Sequence, residues 1–346
     1  MTKARRTEVE VHYNGINVSK DFAKDLKSFS YVDNASGESD SISITLQDEN
    51  EVWMNEWFAN KSDQIRAIIN TMNWKTQNDS ERLLCGTFFI DMPELSGFPN
   101  EVTINAASVP ANEQLMSRPR TQKWKGIGLK RIANDIAFRS GLKLEYLANN
   151  PWYGSKEQSG VTDAAFLSEL CESEGLAMKV TNRKIIIFKE SDFEKEKPVD
   201  SYHRKAGRVL SYNFNSDYSK GYAGVKLSYF DVKLKRKIEF LYTVRDISNT
   251  NEEEEANKNK IYLLNTKVHT GEEARRAAQN KLRNLNKRET QVDLTLLGNV
   301  NLVGGSTLQL DGFGKFSGKY FIEQARHDIG SGGYTTQVRA RKVLGG

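Results

Sequence analysis

The sequence predicts a mainly β protein in which a small α+β domain separates two similar β-barrel, tube-like domains. Alternating apolar residues dominate both ends of the chain, helical periodicity is concentrated in the middle, and strand motifs of the first part recur in the last. The expected boundaries are 1–108 for the first barrel, 109–199 for the insert, and 200–346 for the second barrel, which carries a helix at 271–287. At 346 residues the chain exceeds what one hydrophobic core usually serves.

In the first domain Val9, Val11 and Tyr13 alternate, as do Ile42, Ile44 and Leu46, and Val102, Ile104 and Ala106. Asn14-Gly15 and Ser36-Gly37 supply turns between such runs. Ile65, Ile68, Ile69 and Met72 fit a helix, yet Ile65, Ala67 and Ile69 also fit a strand. In the insert, Leu129, Ile132, Ala133 and Ile136 recur at helical spacing and stop near Gly141. A second helix opens on Thr162 as N-cap, carries Phe166, Leu167, Leu170 and Cys171 on one face, and stops at Gly175. A hairpin follows, Ala177–Val180 and Lys184–Phe188 around Asn182-Arg183, and the charged stretch Glu190–Lys197 before Pro198 reads as a linker. In the last domain Thr270 and Glu273 form a capping box for a helix striped with Ala274, Ala277, Ala278, Leu282 and Leu285. Short strands punctuated by glycine follow it.

The two β domains resemble one another. Ser28-Phe29-Ser30-Tyr31 matches Ser211-Tyr212-Asn213-Phe214 at an offset of 183, which also pairs Ser36 with Ser219, Ile42 with Val225, Ile44 with Leu227 and Asp48 with Asp231. Gly86–Asp91 matches Gly318–Glu323 at an offset of 232, so the second copy is expected to hold 49 extra residues, partly an acidic loop and the capped helix. Matching Ser62–Ala67 to Ser306–Leu310 assigns the ambiguous stretch to a strand.

No chemistry is signalled. The histidines, His12, His203, His269 and His327, lie far apart without metal spacing. Gly312-Phe-Gly314-Lys-Phe-Ser-Gly318 lacks the spacing of a phosphate loop and a following helix, and reads as turns. Cys85 and Cys171 read as small buried residues, and Trp53 with Trp57 and Trp152 with Tyr153 as partly buried aromatics. No catalytic, cofactor-binding or metal-binding residue is therefore assigned, and no cofactor is expected. Fifty basic against 45 acidic residues give a net charge of +5, too balanced and dispersed for a dedicated nucleic-acid binder. No run is long and apolar enough for a membrane span, and the basic N-terminus lacks the apolar region of a signal peptide.

Several motifs in order resemble the late-control D family of contractile-tail baseplate hubs, which includes hubs of phages and R-type bacteriocins and shares its fold with the N-terminal part of VgrG spikes. In the insert they are Trp124, Leu129-x-x-Ile132-Ala133-x-x-Ile136-Ala137, Ser140-Gly141-Leu142, Gln158, Thr162-Asp163-x-x-Phe166-Leu167-x-x-Leu170-Cys171 and Gly175-Leu176. Elsewhere they are Phe88-x-Ile90-Asp91, Ser96-Gly97-x-Pro99, Val102-x-Ile104, Thr270-x-x-Glu273-Ala274, Gly304-x-x-x-Leu308-x-Leu310 and Gly318-x-Tyr320-x-Ile322. The resemblance implies a homotrimer whose two barrels per chain form a pseudo-sixfold ring, joining a sixfold tail tube to a threefold central spike. Tube protein, spike, other baseplate proteins and the tape measure protein are the implied partners, with no membrane and no sequence-specific nucleic acid. Synthesis in a bacterial host cytoplasm and residence in a virion or tail-like particle follow from it. Because the sequence ends at Gly346 after the second barrel, the spike is expected to be a separate polypeptide. The polar stretch Asn249–Lys260, with Glu252–Glu255, is expected as a surface loop. The competing readings are a tail-associated cell-wall hydrolase, which would need two convergent carboxylates, and a carbohydrate- or receptor-binding protein, which would need exposed aromatic platforms.

Overall fold

A computed structural model of the chain describes residues 4–61, 63–109, 114–217, 221–231, 235–244, 260–266, 268 and 271–344. The first β unit comprises β1 (Arg6–Tyr13), β2 (Ile16–Asn17), helix α1 (Ser19–Asp25), β3 (Leu26–Asn34), β4 (Ser41–Gln47), β5 (Gln64–Met72), β6 (Ser80–Ser96) and β7 (Glu101–Ala107). Its strands follow the order β3-β4-β7-β6-β5-β1-β2 with antiparallel ladders. Alternation decides which face is inside: Ile42, Ile44 and Leu46 are buried in one core with Ile65, Ala67, Ile69, Val102 and Ile104. The ambiguous stretch is therefore strand β5. Its Ile68 is buried as well, outside that core, which is why its spacing also fits a helix. Among the described residues no ladder joins β1 to β3. Helix α1 connects that side of the sheet to β3 and inserts Phe22 against Trp53, ring centroids 4.8 Å apart.

The middle segment holds α2 (Gln114–Ser117), β8 (Pro119–Gly128), α3 (Leu129–Arg139), β9 (Lys143–Leu147), β10 (Trp152–Thr162), α4 (Asp163–Ser173), β11 (Ala177–Thr181), β12 (Lys184–Phe188) and α5 (Glu190–Phe193). Strands β8 and β10 form a ribbon, and β11-β12-β9 a small sheet. The Thr162 hydroxyl accepts from the amide of Ala165 at 3.3 Å, the expected cap of α4. Gly141 and Gly175 take φ of +66° and +68° after α3 and α4, where a side chain would be strained. Asn182 and Arg183 both have positive φ, as a two-residue hairpin turn requires.

Leu129, Ile132, Ile136, Phe166, Leu167 and Leu170 are buried together, with Phe166 stacked on Trp124 at 5.2 Å. Phe166→Ala should therefore cost about 3 kcal/mol, measured by urea denaturation. Lost partner binding at unchanged stability would instead mark this face as an interface.

The second β unit contains β13 (Asp200–His203), β14 (Val209–Ser216), β15 (Gly224–Asp231), β16 (Arg236–Thr243), β17 (Ile261–Leu264), α6 (Gly271–Asn286), β18 (Thr290–Leu297), β19 (Thr307–Asp311), β20 (Gly318–Gly330) and β21 (Gly333–Lys342). Its path β14-β18-β21-β20-β19-β13 repeats β3-β4-β7-β6-β5-β1 strand for strand. The ladders fix the residue equivalences. Tyr31 pairs with Ile42 as Phe214 pairs with Val292, and Ala106 with Ile90 as Ala340 with Ile322. Both long strands break register at the same place, after Ile90 and after Ile322, and both place a positive-φ glycine, Gly86 or Gly318, beside the preceding strand. The copies differ at the last strand, which is antiparallel in β1 and parallel in β13.

One part of the sequence alignment is corrected. The counterpart of β4 is β18, not β15, so matching Ile42, Ile44 and Asp48 to Val225, Leu227 and Asp231 is wrong. From Tyr31/Phe214 to Ile42/Val292 the offset rises from 183 to 250, an insertion of 67 residues, and shorter connections later reduce the excess. Period-2 alternation made β15 look like β4, because any half-buried strand satisfies it. The insertion forms its own layer: sheet β16-β15-β17 buries Val225, Leu227 and Tyr242 against Ala274, Ala278 and Leu282 of α6. Ser62, Ser219, His269, Thr270 with its capping box, and Glu252–Glu255 with the rest of 249–259 lie outside the described residues.

Candidate assembly interface

Where the two units meet, β20 pairs antiparallel with β3 from Gln324↔Asn34 to Gly330↔Ser28, so one sheet runs through both. The seam is closed by packing as well as by ladder bonds. His327 is wholly buried, stacks on Tyr31 at 5.8 Å, accepts at Nδ1 from the Tyr334 hydroxyl (2.7 Å) and donates from Nε2 to the carbonyl of Leu302 (3.0 Å). Burial pushes its pKa down to about 4, so at neutral pH it is an uncharged seam residue. Ile329, Val300 and Tyr334 of the second unit complete the core of the first.

The middle segment locks onto the same seam. Lys179 of β11 ion-pairs with Asp33 and, at 3.1 Å, with Asp40, while Asp33 also accepts from the amide of Gly304 at 3.0 Å. Gly304 has to be glycine here, because a Cβ would lie 2.6 Å from the amide nitrogen of Ala35. Burial raises Asp40 to about 6 against the opposing pull of Lys179. A second ionic lock joins α5 to the second unit: buried Arg341 reaches Glu190 at 3.1 Å and Glu194, which also bind Lys287 (2.8 Å) and Arg283 (2.6 Å). The stretch read as a linker is thus partly buried, because those cations compensate its glutamates.

Two strand edges, each three strands from the seam and on opposite sides of it, have no partner strand among the described residues. Strand β6 is longer than its neighbour β5, so Met92–Ser96 pair only with β7. Strand β14 pairs only with β18, whereas its counterpart β3 pairs with both β4 and β20. The apolar residues of both edges are open. Tyr212 is 46% exposed where its equivalent Phe29 is 1% exposed, and Leu95 is 52% exposed where its equivalent His327 is wholly buried. Leu210, Met92 and, at the β6–β7 tip, Phe98 are exposed as well. Phe214 makes ring contacts with Phe313, Phe316 and Tyr320, a cluster with no strand over its β14 edge among the described residues. Neither edge was among the features expected from the sequence. The signal available was the 17-residue run of β6 beside a 9-residue partner.

The residues singled out by motif are placed as follows. Asp163 takes a two-point contact from Arg139 (2.7 and 2.6 Å) and a bond from Gln158 (2.9 Å), tying α3, α4 and β10 together. The Gly312–Gly318 stretch is a turn containing one short 3-10 segment between β19 and β20. Cys85 and Cys171 are buried free thiols whose pKa values burial pushes up. His12 sits beside Glu10 on β1, and His203 is exposed at the end of β13. Trp53 and Tyr153 are buried, while Trp57 and Trp152 are open. Among the described residues no group of three His, Cys, Asp or Glu side chains converges, and no helix is long and apolar enough to cross a membrane.

No protein-family profile matches the chain. It is similar to the probable baseplate hub protein of Escherichia phage 186, at 24% identity over 368 aligned positions covering 96% of this chain and 92% of that protein. Its fold is shared by the 43 kDa tail protein of prophage MuSo2 from Shewanella oneidensis (TM-score 0.71, 11% identity, 97% and 98% of the two chains). It is shared by the tail protein of Neisseria meningitidis MC58 (TM-score 0.70, 13% identity, 97% and 96%). An E. coli component of the type VI secretion system also matches (TM-score 0.55, 10% identity, 98% of this chain and 77% of that one). The hub resemblance read in the sequence is borne out by these relatives, a probable baseplate hub protein, tail proteins and a secretion-system component.

Proposed function

We propose that this chain is the structural hub of a contractile-tail baseplate, a homotrimeric ring that seats a sixfold tail tube on one side and a threefold central spike on the other. The observation that carries the reading is the repeated strand path: two like units per chain supply six like positions in a trimer. The parts present once per chain supply the threefold features. These are the 114–199 segment and the β15–β17/α6 layer, held together by Arg276 on Glu174 (2.9 Å) and Asn280 on the carbonyl of Ser173 (3.3 Å). Six like and three unlike surfaces are what a symmetry adaptor needs. The task asks for rigid ladders and complementary edges and for no reactive group, so the protein is assigned no catalytic, cofactor or metal site. Contacts with other baseplate proteins and the tape measure protein belong to the same reading, as does residence in the virion or tail-like particle.

Sedimentation of the purified protein at tens of micromolar, alone and with spike protein, tests it. A trimer is the expected result, since ring interfaces of this kind bury on the order of 2,000 Å². A monomer under both conditions would sink the hub. Peptidoglycan hydrolysis assayed in parallel should be absent, and a hydrolytic activity abolished by one Asp or Glu substitution would replace the hub with an enzyme.

A further inference from the structure

We infer that Met92–Ser96 of one protomer adds as an antiparallel strand to the free edge of β14 in a second copy of this chain, in the register that β20 and β3 use inside one chain. The inference rests on the hub reading and assigns the residues that make its ring.

The chain already contains one example of the contact. Beyond the shared register break, β20 leaves its first neighbour and lays Gln324–Gly330 along β3. Strand β6 does the same up to its break, and then Met92–Ser96 run on with no strand on one edge among the described residues. The ladder equivalences make Pro93, Glu94, Leu95 and Ser96 the counterparts of Ala325, Arg326, His327 and Asp328. They make Asn213, Phe214, Asn215 and Ser216 the counterparts of Ser30, Tyr31, Val32 and Asp33. Transferring the internal pairing gives Pro93↔Ser216, Glu94↔Asn215, Leu95↔Phe214 and Ser96↔Asn213 between protomers.

Side-chain exposure points the same way. Tyr31 lies against His327 in the internal seam, and in the transferred seam half-exposed Leu95 would cover partly buried Phe214 and its open aromatic cluster. A bare edge with inward-facing apolar residues is an aggregation hazard unless a strand covers it. The occupant is a second copy because the same chain carries both the donor strand and its matching acceptor, in different places. Such a heterologous contact repeats from chain to chain until a ring closes, which a two-fold dimer contact cannot do.

The test is a cysteine pair on the solvent-facing positions, Glu94→Cys with Asn215→Cys, in the full-length protein. Directly opposed residues on antiparallel strands lie about 4.5–5.5 Å apart at Cα, within disulfide range. Oxidation should give covalent dimers and trimers that reductant dissolves, and an equimolar mix of the two single variants should stop at dimers. Glu94→Cys with Asn213→Cys, two residues out of register and beyond about 7 Å, should cross-link at least tenfold more slowly. Leu95→Asp should shift sedimentation from trimer to monomer at unchanged melting temperature of the monomer. A trimer that fails to cross-link through the first pair, or prefers the second, overturns this pairing and leaves the hub standing. A monomer with and without spike overturns the hub itself. Cross-linking through the first pair only when spike protein is added would still place Met92–Ser96 on β14, with ring closure dependent on the spike, whereas loss of the cross-link when another tail protein is added would give β14 to that protein and overturn the self-pairing.

Discussion

Lys179→Met should destabilise the protein by about 5 kcal/mol at pH 7 and do less harm as the pH falls toward 5. Lys179 is the shared cation of two buried carboxylates, Asp33 and Asp40, at the point where the middle segment meets both β units. Burial opposes its charge, but the two carboxylates hold its pKa above the usual lysine value. The neutral variant leaves those carboxylates facing one another without compensation, the costly half of a buried ion pair. The pH dependence follows from Asp40, which burial raises to about 6 even with the lysine present. An acid whose folded pKa exceeds its unfolded value destabilises when ionised. The penalty is absent below the unfolded pKa and complete above the folded one. Without Lys179 the folded pKa rises further, so acidification from pH 7 to 5 protonates Asp40 and recovers part of the loss. Urea denaturation at pH 5, 6 and 7 measures this. A deficit independent of pH would show that lost packing, not the orphaned carboxylates, is the cause.

Arg341→Met should cost about 3–5 kcal/mol at neutral pH. The guanidinium is buried on β21, 4.6 Å from the ring centre of Phe321, and binds Glu190 and Glu194 of the segment entering the second unit. Burial pushes both glutamates up, yet Lys287 and Arg341 hold Glu190 below its usual value, and Arg341 and Arg283 do so for Glu194. A carboxylate with a depressed folded pKa stabilises above its unfolded pKa, and that contribution is lost as the pH falls through the folded value. The deficit of the variant should therefore shrink below about pH 4. Combining Arg341→Met with Glu194→Gln should recover part of the neutral-pH loss, because the second change removes the charge that the first strands. Additive losses would contradict the shared lock.

The strand content, the helices of the middle segment with their caps, and the duplication were legible in the sequence because each is a local pattern. Thr162 caps α4 through its own third residue, Gly141 and Gly175 end helices by their backbone freedom, and Ile42, Ile44 and Leu46 turn inward by period alone. The same locality set the limit. Period 2 could not tell β15 from β18 as the counterpart of β4, since both alternate and only hydrogen-bonded neighbours differ. Expected barrels became strand paths that no ladder closes among the described residues, a matter of long-range pairing between β1 and β3. Glu190 and Glu194 lay in a stretch that read as a linker, because Arg283, Lys287 and Arg341 are brought to them from far along the chain. The sequence by itself determined a duplicated β protein with an α+β insert and no local catalytic motif. Only the tertiary structure decided that β20 covers β3 while the matching edges of β6 and β14 have no partner strand among the described residues, because a free edge is defined by which strands come to lie beside it.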